Sequence, residues 1–116
     1  MVRSLSGRFY RVVRSPTPTL TDFYSPERQG RKVSLAATSD LLRSFRSVSV
    51  WDTLDGAARV ARDYPKVGRY VAVIELPANV TALRFGAPGH WDIEAEPDEL
   101  LKAVVEVVPI ATVERG

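Results

Sequence analysis

The stretch SVSVWDTLDGAARVARDYPKVGRYVAVIELP, residues 47–77, is the most regular part of this 116-residue chain and decides its fold. Small polar and apolar residues alternate over 47–50, which predicts a short strand. Asp52 or Thr53 then stands where a helix N-cap is expected, because a short polar side chain there accepts hydrogen bonds from free backbone amides. Pro65 ends that helix. We therefore predict a strand, a helix, a turn and a second strand in succession.

The predicted helix is amphipathic, and the strand after it is apolar. Apolar residues recur along the helix at a spacing of three to four, at Leu54, Ala57, Ala58, Ala61 and Tyr64. Because alanine is small, this face can lie close to a sheet. β-Branched and aromatic residues dominate residues 70–76, YVAVIEL, and predict a long strand in which Glu75 interrupts an apolar row.

Shorter elements surround this stretch. Residues 8–14 predict a first strand on which Arg11 faces the same side as two apolar residues. Residues 31–38 predict irregular structure. The other expected elements are a short helix from Ser39 or Asp40 through Phe45, a turn at Pro77–Asn79, a hairpin of strands Val80–Phe85 and His90–Glu94, a helix beginning near Pro97, and a final strand at Val104–Ile110. Because strands outnumber helices, we predict an α+β fold. It is a single domain over 1–116, with a core at about 8–110, a mainly antiparallel twisted sheet and two or three helices.

Composition excludes several classes of site. Apolar residues make up 45% of the chain and charged residues 26%, as in a soluble domain with a real core. No apolar run approaches the roughly 20 residues that span a bilayer, and the first residues lack the apolar stretch of a secretory signal. With no cysteine and one histidine, the chain cannot form disulfides, thiolate metal sites or a histidine-rich metal centre. We expect a cytoplasmic protein with no metal and no membrane partner.

Charge is unevenly distributed, although the net charge is only +2. Residues 1–46 hold nine Lys/Arg and three Asp/Glu, a net of +6, whereas residues 47–116 hold seven and eleven, a net of −4. Of the 16 basic residues 13 are arginine, whose planar guanidinium suits phosphate. The basic half therefore predicts binding of a phosphorylated ligand, a nucleic acid or an acidic partner. A solvated arginine-rich surface is the structural alternative.

Three common motifs are absent, namely G-x-x-x-x-G-K-[ST], G-x-G-x-x-G and G-x-S-x-G. Polar side chains that could still meet in a cleft are Tyr10, Arg11, Ser47, Ser49, Asp52, Thr53, Glu75 and His90. A buried Arg11 must pair with a carboxylate or line a wet cleft, since an isolated buried charge costs several kcal/mol. Glu75 could instead pair with Arg69 or Arg84. The two serines could face outward on an edge strand, and His90 could be a partly exposed hairpin residue.

The order of these residue types resembles the small ADP-ribosyltransferase-like domains, which include the RES-type NAD-degrading toxins and related short domains of bacteria and phages. The resemblance covers residues 8–77: a strand arginine, then a serine-bearing strand before a helix, then a strand glutamate. It implies an ADP-ribosyltransferase-like fold and an enzyme that binds NAD and transfers ADP-ribose or cleaves NAD. In that family a glutamate stabilises the positive charge that develops on the ribose.

Transferred to this chain, the resemblance implies that Glu75 and Arg11 are catalytic and that NAD is the substrate. The residues it implies for NAD binding are Arg11, Tyr10, Ser47, Ser49, Thr53 and His90. Over residues 8–77 the chain lacks the E-x-E or Q-x-E pair of the family. The alternative is a non-catalytic interaction module of a toxin–antitoxin or phage-related system, whose basic N-terminal half binds a protein or nucleic acid. The enzyme requires Arg11, the serines and Glu75 to line one pocket, and the module does not.

Overall fold

The computed structural model describes residues 2–31, 38–84 and 87–113. Over these ranges the elements are β1 Val2–Val13, α1 Ser39–Phe45, β2 Val48–Trp51, α2 Leu54–Asp63, β3 Tyr70–Arg84, β4 His90–Glu94, α3 Pro97–Lys102 and β5 Val104–Pro109, with 3₁₀ turns at Leu20–Phe23 and Ile110–Thr112. No helix of the described ranges is long and apolar enough to cross a membrane. Two sequence expectations fall partly outside the described residues: the irregular segment at 31–38, of which 32–37 are not described, and the strand Val80–Phe85, whose last residue is not described.

Four of the strands close into a small barrel. β1 pairs with β3, β3 with β4, β4 with β2, and β2 returns to β1 through the pair Tyr10–Trp51. β5 extends the sheet by pairing with β3, and all these pairings are antiparallel. The predicted α+β domain with an antiparallel sheet and helices is confirmed, and its three helices fall within the expected number. The closure into a barrel is a feature that the sequence patterns did not predict.

β3 continues through Pro77–Asn79, where a turn is expected. The ladder with β1 pairs Leu76 with Gly7 and resumes at Val80 with Leu5, so it is irregular between these two pairs. A proline has no N–H to donate to a neighbouring strand and is tolerated where the ladder is interrupted. The prediction of a turn at Pro77–Asn79 is therefore wrong. The strand continues, because the irregular ladder between β1 and β3 accommodates the proline.

Alternation along the strands gives the barrel an inner and an outer face. Buried apolar residues from all four barrel strands pack together inside, among them Phe9, Val50, Ile74 and Ile93. Two elements outside the sheet add buried side chains to this core, through Phe23 of the 3₁₀ turn and Leu100 of α3.

Helix α2 covers part of the outer face. Thr53 is its N-cap, with a side chain that accepts from the Gly56 amide at 3.0 Å. The predicted alanine face is confirmed, since Ala57, Ala58 and Ala61 are buried and two of them, Ala57 and Ala61, pack against the sheet. Tyr64 was expected on the same face but is 66% exposed. The reason is that the helix ends at Asp63, and Tyr64 has already left the helical conformation.

Candidate functional site

The register of β1 and β3 separates Arg11 from Glu75. Glu75 lies directly opposite Arg8, and residues three apart on one strand point to opposite faces. The Arg8 Nε donates to Glu75 Oε1 at 2.7 Å in an exposed ion pair, and this hydrogen bond raises the pKa of Arg8. The partner of Glu75 is thus Arg8, rather than the expected Arg69 or Arg84, and the carboxylate does not meet Arg11.

Arg11 is bound by two backbone carbonyl oxygens. Its Nε donates to the Asp22 oxygen and its Nη1 to the Ser49 oxygen, each at 2.7 Å. Burial lowers the pKa of Arg11 to about 10, and the nearby Asp22 charge opposes that shift. β1 and β2 share only one paired position, so the guanidinium extends the connection between these strands. Carbonyls, rather than the expected carboxylate side chain, therefore accept the hydrogen bonds of this partly buried charge.

Ser49, His90 and Asp92 form a second polar group, on the outer face. Ser49 Oγ donates to Asp92 Oδ1 at 3.2 Å and lies 3.0 Å from His90 Nε2, which is 3.5 Å from the same Asp92 oxygen. Asp92 is buried, and its Oδ2 has no hydrogen-bond partner among the described residues. In a catalytic triad the serine and the carboxylate bind different imidazole nitrogens. Here both approach Nε2, so the group connects β2 to β4 and lacks the geometry of an activated serine.

The other residues implied by the resemblance also have structural contacts. Ser47 is buried and donates to the Arg43 carbonyl at 2.7 Å, while Thr53 caps α2. β2 lies between β1 and β4, so the interpretation of its serine as an edge-strand residue is wrong. Tyr10 is half-buried on the outer face. That face carries Tyr10, Ser49, Glu75 and His90, while Arg11 faces the barrel interior.

Part of the basic charge of residues 1–46 is neutralised within the fold. Four arginines pair with carboxylates at 2.6–3.0 Å, namely Arg8 with Glu75, Arg28 with Glu96, Arg43 with Glu94 and Arg46 with Glu27. The first three of these pairs join the basic half to the acidic half. All four are solvent-exposed, so each contributes only about 0–1 kcal/mol to stability. Five of these paired side chains, Glu27, Arg28, Arg46, Glu94 and Glu96, help to line a cleft of about 400 Å³.

Other cations of the basic half line a larger cleft, of about 650 Å³. We call it the basic cleft; it is lined by Arg11, Val12, Arg14, Thr21, Asp22, Tyr24, Arg28, Gln29, Arg31, Lys66 and Val67. Arg14, Arg31 and Lys66 have no ion-pair partner among the described residues. The cleft therefore concentrates positive charge that the fold does not neutralise.

Asp22 is the one carboxylate among the described residues that line this cleft. Its Oδ1 accepts from the Arg14 amide at 3.2 Å and its Oδ2 from the Thr19 amide at 2.9 Å. Both carboxylate oxygens are thus engaged by the backbone of the turn. These two hydrogen bonds hold the turn in place. Among the described residues, Asp22 forms no ion pair with the cationic side chains of the cleft.

Sequence reasoning did not single out Arg14, Arg31 or Lys66. The excess of basic residues in the first 46 positions is a signal for the two arginines, although it does not distinguish them from the paired ones. Lys66 belongs to the acidic half, and only the fold brings it to the cleft. Arg11 is the one residue implied by the resemblance that lines it.

The described residues contain no group of three or more histidine, aspartate or glutamate side chains that could hold a metal ion. Comparisons of the chain with protein families, with curated proteins and with solved structures found no match.

Proposed function

We propose that this protein is a non-catalytic binding module that holds nucleic acid in the basic cleft. The observation that supports it is the convergence of Arg14, Arg31 and Lys66, three cations without an ion pair among the described residues, on one concave surface. Clefts lined by one sign of charge focus the electrostatic field and attract ligands of the opposite sign. An anionic partner is the ligand that this lining would favour.

Phosphate suits the lining better than a carboxylate-bearing protein does. Of the five cations that line the cleft in the described part of the chain, four are arginines, which can bind phosphate oxygens with two parallel hydrogen bonds. Arg11 uses two of its five N–H donors on carbonyls and remains charged at neutral pH, since its pKa is about 10. The cleft also contains Tyr24, and grooves that bind nucleic acid strands combine cations with aromatic side chains.

Fluorescence anisotropy with a labelled mixed-sequence oligonucleotide, at several salt concentrations, tests the proposal. We expect affinity to fall as salt rises, because binding releases counterions from the phosphates. In a triple variant Arg14→Gln, Arg31→Gln, Lys66→Gln, the slope of log affinity against log salt should become shallower by about 2 to 3. Each phosphate that the variant no longer neutralises changes this slope by roughly 0.7–0.9.

A matched triple variant controls for the removal of charge alone. Arg59, Arg69 and Lys102 are exposed and do not line the cleft, so Arg59→Gln, Arg69→Gln, Lys102→Gln should leave the slope nearly unchanged. Equal reductions of the slope in both triple variants would place binding elsewhere on the surface. If the protein binds no oligonucleotide at low salt, the proposal fails. Equally effective competition by polyglutamate would instead identify an acidic protein as the partner.

The ADP-ribosyltransferase-like fold and its NAD chemistry remain predictions. One observation favours them, since Tyr10, Ser49, Glu75 and His90 share the outer face. Arg11 lies on the other face, which separates the two residues implied to be catalytic. Isothermal titration with NAD and a nicotinamide-release assay would test this second candidate. Nicotinamide release that Glu75→Gln abolishes would support the enzyme, whereas no binding at millimolar NAD would remove it.

A further inference from the structure

The basic cleft contains an exposed apolar side chain. Val67 lines it next to Lys66 and is 45% exposed, although covering apolar surface is worth roughly 25 cal/mol per Å². A cleft that bound phosphate alone would gain nothing from this side chain. A ligand with both an anionic part and a flat apolar part would contact the cations and Val67 together.

An aromatic ring lies in the same lining. Tyr24 is half-buried, and the guanidinium carbon of Arg28 lies 6.0 Å from its ring centroid. Glu96 holds that guanidinium through a 2.9 Å ion pair. Aromatic rings and arginine planes are the surfaces on which unpaired bases stack. The cleft thus offers stacking groups as well as cations.

The shape of the cleft favours an unpaired strand over a duplex. Its volume of about 650 Å³ is within the range of pockets that enclose small molecules. In a duplex the bases are paired and stacked, so only the backbone and groove edges could approach. In a single strand a base can turn away from its neighbours and enter a pocket.

We infer that the basic cleft binds single-stranded nucleic acid and takes one of its bases against Tyr24 and Val67, while the neighbouring phosphates contact Arg14, Arg31 and Lys66. The inference rests on the proposed function and names the class of nucleic acid. According to this inference, affinity depends on the presence of bases as well as on the phosphates, but not on which bases they are.

An abasic oligonucleotide of the same length and charge provides the test, because it keeps the phosphates and lacks the bases. We expect the wild-type protein to bind the base-bearing single strand roughly 5- to 150-fold more tightly than the abasic strand, the range for one stacked base. A duplex should bind less tightly than the base-bearing single strand, because its bases are already paired and stacked. DNA and RNA versions of each probe show whether the sugar matters.

Variants of the two contact residues locate the effect. Tyr24→Leu should remove most of the preference for the base-bearing strand over the abasic strand. Val67→Ser should reduce the preference in the same direction, and it tests the inference if Tyr24→Leu does not fold. Tyr64→Leu is the matched control, since Tyr64 is 66% exposed and does not line the cleft.

The outcomes separate this inference from the proposed function. Equal affinity for abasic and base-bearing strands, a duplex that binds as well as a single strand, or a preference that survives in both cleft variants would each overturn the inference and leave nucleic acid binding standing. Binding to none of the probes would overturn both.

Discussion

Arg11 shows how one residue can look like a ligand-binding group and still have structural contacts. Its place among apolar residues indicates that its charge must be compensated. The structure compensates it with the carbonyls of Asp22 and Ser49, which belong to two other segments of the chain. Sequence patterns predict the burial, but they do not identify backbone partners, because every residue carries a carbonyl.

Replacing Arg11 with lysine should destabilise the fold by about 1–3 kcal/mol. An ammonium is a compact, strongly hydrated charge and does not reproduce the planar fork that reaches both carbonyls. Urea denaturation measures the free energy of unfolding. A variant within about 0.5 kcal/mol of wild type would show that the two hydrogen bonds are not structurally important.

The wild-type contribution of Arg11 should not vary between about pH 5 and 9. Its folded pKa is about 10, below the usual value for arginine, so the folded state binds this proton more weakly than the unfolded state does. The free energy of unfolding should therefore rise with pH only above about pH 10, where the folded state begins to lose this proton before the unfolded state does. Below that pH both states keep the proton, and the contribution of Arg11 stays constant.

Sequence predicts those helices and strands whose signal, such as a helix cap or a periodic apolar face, lies within the element itself. The cap at Thr53 and the buried alanines of α2 follow from spacing within one helix. The continuation of β3 through Pro77 does not, because it depends on an irregular ladder with β1. Strand length is thus decided by a partner distant in sequence, and local turn propensity is overridden.

The connection from α2 to β3 passes close to β1 at Gly68. A Cβ added there would overlap the Val13 carbonyl oxygen, so the backbone would have to move. We expect Gly68→Ala to lower the free energy of unfolding by about 1–3 kcal/mol or more. Val67→Ala in the same turn should change it by less than about 0.5 kcal/mol. Equal stability of the two variants in thermal melts would contradict this close approach.

For the whole molecule, the uneven charge is the sequence feature with the clearest structural outcome. Three ion pairs join the basic half to the acidic half, and part of the remaining positive charge lines the basic cleft. The excess of basic residues in positions 1–46 predicts an anionic partner, but it does not predict where that partner binds. Lys66 and the 3₁₀ turn reach the cleft only through the fold.

The sequence does not predict which candidate strand residues share a face, because this depends on the register between the strands. Whether Glu75 lies on the same face as Arg8 or on the same face as Arg11 depends on how β3 pairs with β1. A slip of one residue in this pairing would move Glu75 to the other face. Residue order along the chain carries no information about that slip. The sequence therefore predicts which polar residues lie on strands, and the sheet decides which of them meet.

Amide chemical-shift mapping with a single-stranded oligonucleotide tests the central claim most directly, since it locates the binding surface without any mutation. We expect the shifts to concentrate at Arg14, at residues 21–31 and at Lys66 and Val67, and to weaken as salt is added. Shifts centred instead on the outer face, around Tyr10, Glu75 and His90, would contradict the assignment of function to the basic cleft.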